Sequence, residues 1–488
     1  MEDGTEEALL DKINRKLQDP ALINSSSRRI FMVPNPLREI NEKAYDPLVI
    51  SIGPYHYGKK HLKAMEVQKM KSLKSILDRG RENSVDKYVM ALKEMEEEIR
   101  RFYSENLDHI DRQDLVEMML LDGFFIIDFI SSTNELTDFH RRNVMRDLLL
   151  VENQLPFSVL STLHSLSMDQ RGLNRDVKDI FVEAVIICFN GMVPALPIIE
   201  RPRNQGIMKP PPPSEVRARD LDAKDMLGFL HDNVIRTSRR RVRSATASSP
   251  WWRRCLAWAS RLPFAHRLPC LAPVRTPPRD RPVKCSASAE EPEWAPAGIY
   301  ELRKWRFICS ATELNEAGIK FQKKEGKLFD IEFQNGVMSI PTLIIDDYTE
   351  SIFRNIVAYE QYDVGVISQP FTDYITFMDC LINTGKDVGL LCRCGVLDNW
   401  LGDHEVVATM FNRLRDSVLI SAVRFHYSEI FIGVNKHCDR EWNQWKANLR
   451  HNYFNTPWAS ISVIAAVILL LLTVLQSVYS VLAYHHPR

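Results

Sequence analysis

The stretch Leu115-Val-Glu-Met-Met-Leu-Leu-Asp122-Gly-Phe-Phe-Ile-Ile-Asp-Phe129 decides how the chain is read. Leu115, Met118, Met119, Asp122, Phe125, Ile126 and Phe129 recur three or four apart, the period of one face of a helix. Asp122 falls inside that apolar stripe. A carboxylate there has to be hydrogen-bonded or carry a shifted pKa, because an isolated buried charge is expensive. The same period runs upstream through Leu62, Met65, Lys69/Met70, Leu73, Ile76 and Leu77. After a break at Gly80 it resumes at Tyr88, Leu92, Met95, Ile99 and Phe102. Three amphipathic helices in succession predict a mainly α protein.

Before them the chain is irregular. Residues 1–28 form an acidic, amphipathic lead with no unbroken apolar run of the kind a secretory signal needs. Prolines at 34 and 36 make 30–36 extended. Gly53-Pro54 and Gly58 make 49–58 a structured turn that carries His56 between two tyrosines. Packing of that aromatic turn against its own domain is the reading preferred over a ligand site.

Further along, Asp147-Leu-Leu-Leu-Val-Glu-Asn-Gln-Leu-Pro-Phe157 is an apolar helical turn ending in Glu152, Asn153 and Gln154 just before a proline. Glu360-Gln361 is a second dense polar set after an apolar helical turn. Helix-end hydrogen bonding is the preferred reading of both. From 299 to 449 the pattern is mixed. Ser310 is placed to cap a short helix, and alternating runs follow at 319–322, 328–333 and 337–345, with Asn335-Gly336 as a hairpin turn. These runs predict a small antiparallel β-meander, and helices resume from Glu350.

Two regions stand apart. Residues 209–298 open on Pro210–Pro213 and include a short helical piece at 223–235; within 236–285 there are 13 Lys/Arg against the single acid Asp280. Such Arg- and Pro-rich text predicts disorder. Its competitors are a basic-aromatic contact around Trp251 and Trp252 and a stretch of 238–296 carried into the gene model without being translated. Residues 458–479, WASISVIAAVILLLLTVLQSVY, carry no charge. As a helix they would be about 33 Å long, enough to cross a hydrocarbon core of about 30 Å. Trp458 and Tyr479 suit the two interfaces, Ala466 and Leu470 the span itself. The reading is a single-pass transmembrane helix over 458–480, a tail anchor with the N-terminal body in the cytosol and the plasma membrane favoured. Ser462 and Ala466 stand at a small-x-x-x-small spacing that suits self-association.

Lys+Arg and Asp+Glu are both 63, so the formal net charge is zero and nothing global argues for nucleic acid. Nine cysteines without a signal peptide suit free thiols, and Cys392-x-Cys394 is not a metal knuckle. Phosphate-cradle, dinucleotide, zinc-protease and nucleophile-elbow motifs are missing from the sequence. No cofactor, metal site or catalytic residue is expected.

Taken together, VISIGPYHYG (49–58), MMLLDGFFII (118–127), DLLLVENQLPF (147–157), ATELNEAGIKF (311–321), IPTLIIDDYTE (340–350), NIVAYEQ (355–361), KANLRHNYFNTPW (446–458) and the final apolar span resemble the plant domain-of-unknown-function 247 family. The resemblance runs in order from about 29 to 484, in two parts, 29–208 and 299–449, around 209–298. It implies a membrane-associated plant protein without an established enzymatic activity; some grass members are linked to pollen-side self-incompatibility. It supplies no catalytic residues, so Pro54, His56, Asp122, Glu152, Asn153 and Gln154 are family-motif positions of unknown role. The expectation is a membrane-tethered, non-catalytic recognition protein with an unknown protein partner. The alternative is a hydrolase-like enzyme whose site is assembled from His56, Asp122 and Glu152.

Overall fold

The computed structural model describes residues 13–14, 30–80, 84–131, 136–168, 177–189, 192, 225–232, 305–362, 369–421, 424–439, 462 and 465–477. In chain order the helices begin with α1 (Asn35–Arg38), α2 (Ala64–Gly80), α3 (Asp86–Phe102), α4 (Arg112–Ile130), α5 (Asp138–Asp147), α6 (Phe157–Ser167) and α7 (Val177–Phe189). A short α8 follows at 226–232. Then come α9 (Ala311–Glu316), β1 (Lys320–Lys324), β2 (Glu332–Gln334), β3 (Val337–Pro341), β4 (Leu343–Ile345), α10 (Thr349–Tyr362), α11 (Pro370–Leu381), α12 (Gly385–Arg393), β5 (Leu397–Asn399), α13 (His404–Leu414) and α14 (Ser428–Cys438). A last helix, α15, is described at 465–477. The protein is mainly helical with a small sheet. It divides into two compact units: the first takes 1–283, 346–375 and 413–420, the second 284–345, 376–412 and 421–488.

The first unit is built on α4. Asp111 caps it, accepting the Gln113 N–H at 2.9 Å, and its side chains are buried almost continuously from Leu115 to Ile130. A helix apolar all round has to be enclosed, and α2, α3, α6 and α7 all pack on it. Gly123 sits where a Cβ would run into Leu163 on α6, so this mid-helix glycine, which costs about 1 kcal/mol in propensity, sets how closely α6 approaches. Both buried acids on α4 turn towards α2: Asp122 pairs with Lys69, and Asp128 accepts from Ser72 and Arg79. The undecided position Lys69/Met70 is thereby settled, since Lys69 is fully buried and Met70 exposed.

In the second unit, Ser310 caps α9 as expected, and Glu313 completes a capping box with it. Asn335 and Gly336 both take positive φ, 52° and 78°, and join β2 and β3 as an antiparallel hairpin. The rest of the sheet is not the predicted meander. Strand order is β1-β3-β2 with β1 parallel to β3, and β4 pairs parallel with β5 in a separate two-stranded sheet. The reason lies in 325–331, of which 328–331 reads in the sequence as the start of a strand. There Asp330 accepts the Lys327 N–H, and Phe329 and Ile331 are buried, so the chain crosses over and β2 pairs on the far side of β3. Trp305, Phe425 and Phe431 form an aromatic core in this unit, Trp305 stacking on Phe425 at 4.3 Å.

The transmembrane helix is a second correction. Among the described residues no helix is long and apolar enough to cross a membrane. Residue 462 is helical, and the described part of that stretch is otherwise α15, residues 465–477. Ala466 and Leu470 lie on it with exposed side chains, while Trp458 and Tyr479 lie outside the described residues. The single-pass membrane reading is therefore dropped. Of 209–298, only 225–232 is described, and it contributes a buried helix to the first unit; the disorder and basic-contact readings of the remainder lie outside the described residues.

Candidate functional site

Chain segment 46–58 has no strand partner for most of its backbone, yet Ile50, Ser51, Ile52 and Gly53 are buried. Buried amides need acceptors, and the end of α5, the turn after it and α4 supply them. Asp147 takes the N–H groups of Leu48 (2.9 Å), Val49 (2.8 Å) and Ile50 (3.1 Å). Asn153 accepts from Ile52 N–H at 2.6 Å and donates to the carbonyls of Ile50 and Asp147. Asp122 accepts from Gly53 N–H at 2.8 Å while holding Lys69 at 2.6 Å. Gly53 has φ +68°, and a Cβ there would stand 2.8 Å from the Gln154 carbonyl oxygen and 2.9 Å from the Tyr103 hydroxyl, so the position requires glycine.

Glu152 ties in the chain further upstream. One oxygen accepts from Val33 N–H at 2.7 Å, the other from Arg38 at 2.5 Å. Gln154 donates to the carbonyls of Leu148 and Leu150, and its own oxygen accepts from Leu227 N–H on α8. The electrostatics differ between the acids. Burial pushes Asp122 up, and Lys69 and the Gly53 amide only partly oppose it. Burial likewise wins at Asp147 over Arg146 and the three amides. At Glu152 burial is outweighed by His56, Arg38 and the Val33 amide, and the carboxyl lies below its usual range.

The enzyme alternative requires His56, Asp122 and Glu152 to act together. His56 is buried with Nε2 3.0 Å from a Glu152 oxygen, but off the line a hydrogen bond needs, and among the described residues neither ring nitrogen has a hydrogen-bond partner. Both oxygens of Asp122 are committed to Lys69 and Gly53. The structure thus brings His56 to Glu152 and engages Asp122 elsewhere. Pro54 opens the tight turn, its carbonyl accepting from Tyr57 N–H. Among the described residues no cluster of three or more His, Cys, Asp or Glu is arranged to hold a metal ion.

A second clamp lies in the same unit. Glu360 accepts the N–H groups of Phe371 (3.0 Å) and Thr372 (2.7 Å) at the start of α11, the Thr372 hydroxyl, and His231 Nε2 at 2.9 Å. Burial opposes the charge on His231, but Asp232 and Glu360 overcome it and raise the imidazole to about 9. Asn355 completes the set, accepting from Val151 N–H and donating to the Ala44 and Ser351 carbonyls. Sequence reasoning found Glu360 and missed His231, whose one signal was the short helical piece inside otherwise aperiodic text. Arg146 and Asn355 were missed as well, since a polar residue on an amphipathic helix reads as its solvent face, and Lys69 was left undecided with Met70.

A family model described as a plant protein of unknown function matches residues 30–472. Two curated proteins of Arabidopsis thaliana are similar over nearly their whole length. UPF0481 protein At3g47200 is 29% identical over 491 residues, covering 96% of this chain and 90% of the relative. Putative UPF0481 protein At3g02645 is 26% identical over 497 residues, covering 92% and 89%. No solved structure matches the chain.

Proposed function

The chain belongs to the plant domain-of-unknown-function 247 family, and on that premise we propose that it is a non-catalytic recognition protein that contacts a protein partner through segment 46–58. The observation that supports this is the use made of the motif polar groups. Asp122, Asp147 and Asn153 are spent on the backbone amides of 46–58, which immobilises a segment without regular structure, while Glu152 holds the Val33 amide upstream. That rigid segment carries exposed apolar side chains: Leu48 and Tyr57 are half or more exposed, as are Val67 and Met70 on α2. An ordered aromatic loop offers contact area at little entropic cost, which suits an apolar ridge on another protein. A role in plant cell signalling or self-incompatibility-like recognition is the physiological form of this proposal.

The test is Leu48→Asp with Tyr57→Ala in the full chain, read by proximity labelling against the unaltered protein and by thermal melting. The expected result is loss of the main labelled partners with an unchanged melting temperature. Retention of the same partners overturns the loop as the contact. A turnover activity abolished by His56→Ala in a protein that still folds would overturn the non-catalytic reading.

A further inference from the structure

The second unit contains a cavity of about 530 Å³ whose walls come from α9, α12 and the start of α13. That size lies within the roughly 300–1,000 Å³ of small-molecule sites. Along α12, Gly385 and Gly389 stand one turn apart on one face, and both are buried. Side chains of α13 converge on both. The position a Cβ would take at Gly389 lies 3.2 Å from His404 Nδ1 and 3.6 Å from an Arg393 guanidinium nitrogen. At Gly385 it lies 2.6 Å from a Glu405 carboxylate oxygen, and Lys386 lines the cavity beside it. The walls are fixed to each other because Asp387, in the capping box of α12, also accepts the Thr312 N–H of α9 at 2.8 Å.

The two ends of the cavity differ in charge. Beside the buried Gly389 a guanidinium and an imidazole come close, with no carboxylate among the nearest atoms. Near Gly385 the cavity is lined by the Glu405 carboxylate and by Lys386, groups that accept and donate hydrogen bonds respectively. We propose that the cavity binds a small phosphate monoester bearing hydroxyl groups, of the sugar-phosphate class. The phosphate sits in the cavity between the exposed side chains of Arg393 and His404, where a guanidinium binds phosphate oxygens two at a time. The hydroxyls reach Glu405 and Lys386. This goes beyond the protein-recognition reading and rests on different residues.

The test is calorimetric titration of the full chain with glucose 6-phosphate, glucose and inorganic phosphate. The expected result is one site for glucose 6-phosphate, at least tenfold tighter than for either fragment. Arg393→Ala and His404→Ala each weaken it tenfold or more. Glu405→Gln weakens glucose 6-phosphate and leaves inorganic phosphate unchanged. The control Lys71→Ala/Lys74→Ala, which removes two exposed cations from α2, leaves binding intact. Glucose 6-phosphate binding no tighter than the fragments overturns the proposal, as does binding that survives both Arg393→Ala and His404→Ala or is lost equally in the control.

Discussion

Segment 46–58 in the first unit and the β1-β3-β2 sheet in the second solve the same problem by different means. Both bury backbone amides. In the sheet the chain satisfies itself, each strand supplying carbonyls to the next. In 46–58 side chains from α4, the end of α5 and the turn after it do so, with Asp147 alone holding three successive amides. A ladder spreads its bonds over many residues and tolerates most side chains. A clamp concentrates them in a few carboxylates and amides, so single substitutions reach much further.

The largest expected effect follows. Asp147→Ala orphans three amides and leaves Arg146, 2.9 Å away and buried, with one partner fewer. Breaking a buried pair of this kind costs about 3–5 kcal/mol, visible as a lower urea midpoint. Asp147→Asn, which keeps an acceptor, is expected to cost less. If Asp147→Ala costs no more than a substitution in β3, clamp and ladder are equivalent and the contrast fails.

Two buried histidines of the first unit sharpen it through pH. His231 is raised to about 9 from 6.5 by Asp232 and Glu360 against the opposing effect of burial. A raised folded-state pKa contributes stability that is complete below about 6.5 and is lost as pH climbs through about 9; the shift corresponds to about 3 kcal/mol at most. His164 is lowered to about 4 by burial alone, stacked near Phe181. It stays neutral in the fold, so stability is lost as pH falls from about 6.5 towards 4. Chemical denaturation from pH 4 to 9.5 is expected to show both slopes. His231→Gln should flatten the alkaline one and His164→Leu the acid one. An alkaline slope unchanged in His231→Gln would show that the Glu360 clamp does not depend on the imidazolium.

How much of this was legible follows the same divide. Apolar periodicity announced α2, α3 and α4, because burial of one helix face is written every three or four residues. Ser310 and Asn335-Gly336 announced a cap and a hairpin because those features are local. Asp122 declared that it needed a partner. That the partner is Lys69 was hidden, because periodicity left Lys69 and Met70 as alternatives on one stripe and only the facing helix decides between them. Glu152 meets Val33 and Arg38 across more than a hundred residues, and no local pattern encodes such a pairing. The parallel pairing of β1 with β3 was hidden for a related reason: it depends on where 325–331 crosses, and alternation fixes which face a residue takes but not which neighbour a strand chooses.

The smallest expected effect tests the ladder side. Asn335 adopts φ 52° at the first position of the β2–β3 turn, where asparagine is tolerated better than most residues because its short side chain suits the left-handed region. Asn335→Ala should therefore cost about 1 kcal/mol, and Asn335→Gly should be neutral or slightly stabilising, since glycine takes positive φ freely. Gly336→Ala is a harsher probe of the same turn: besides φ 78°, its Cβ would stand 2.8 Å from the His437 ring on α14. Hydrogen exchange at the β2 and β3 amides, read beside the melting curve, separates the outcomes. Faster exchange confined to β2 and β3 in Asn335→Ala means the ladder absorbs the strain locally. Faster exchange across the whole second unit means the hairpin governs that unit as Asp147 governs segment 46–58, and the distinction between distributed and concentrated satisfaction of the backbone would not hold.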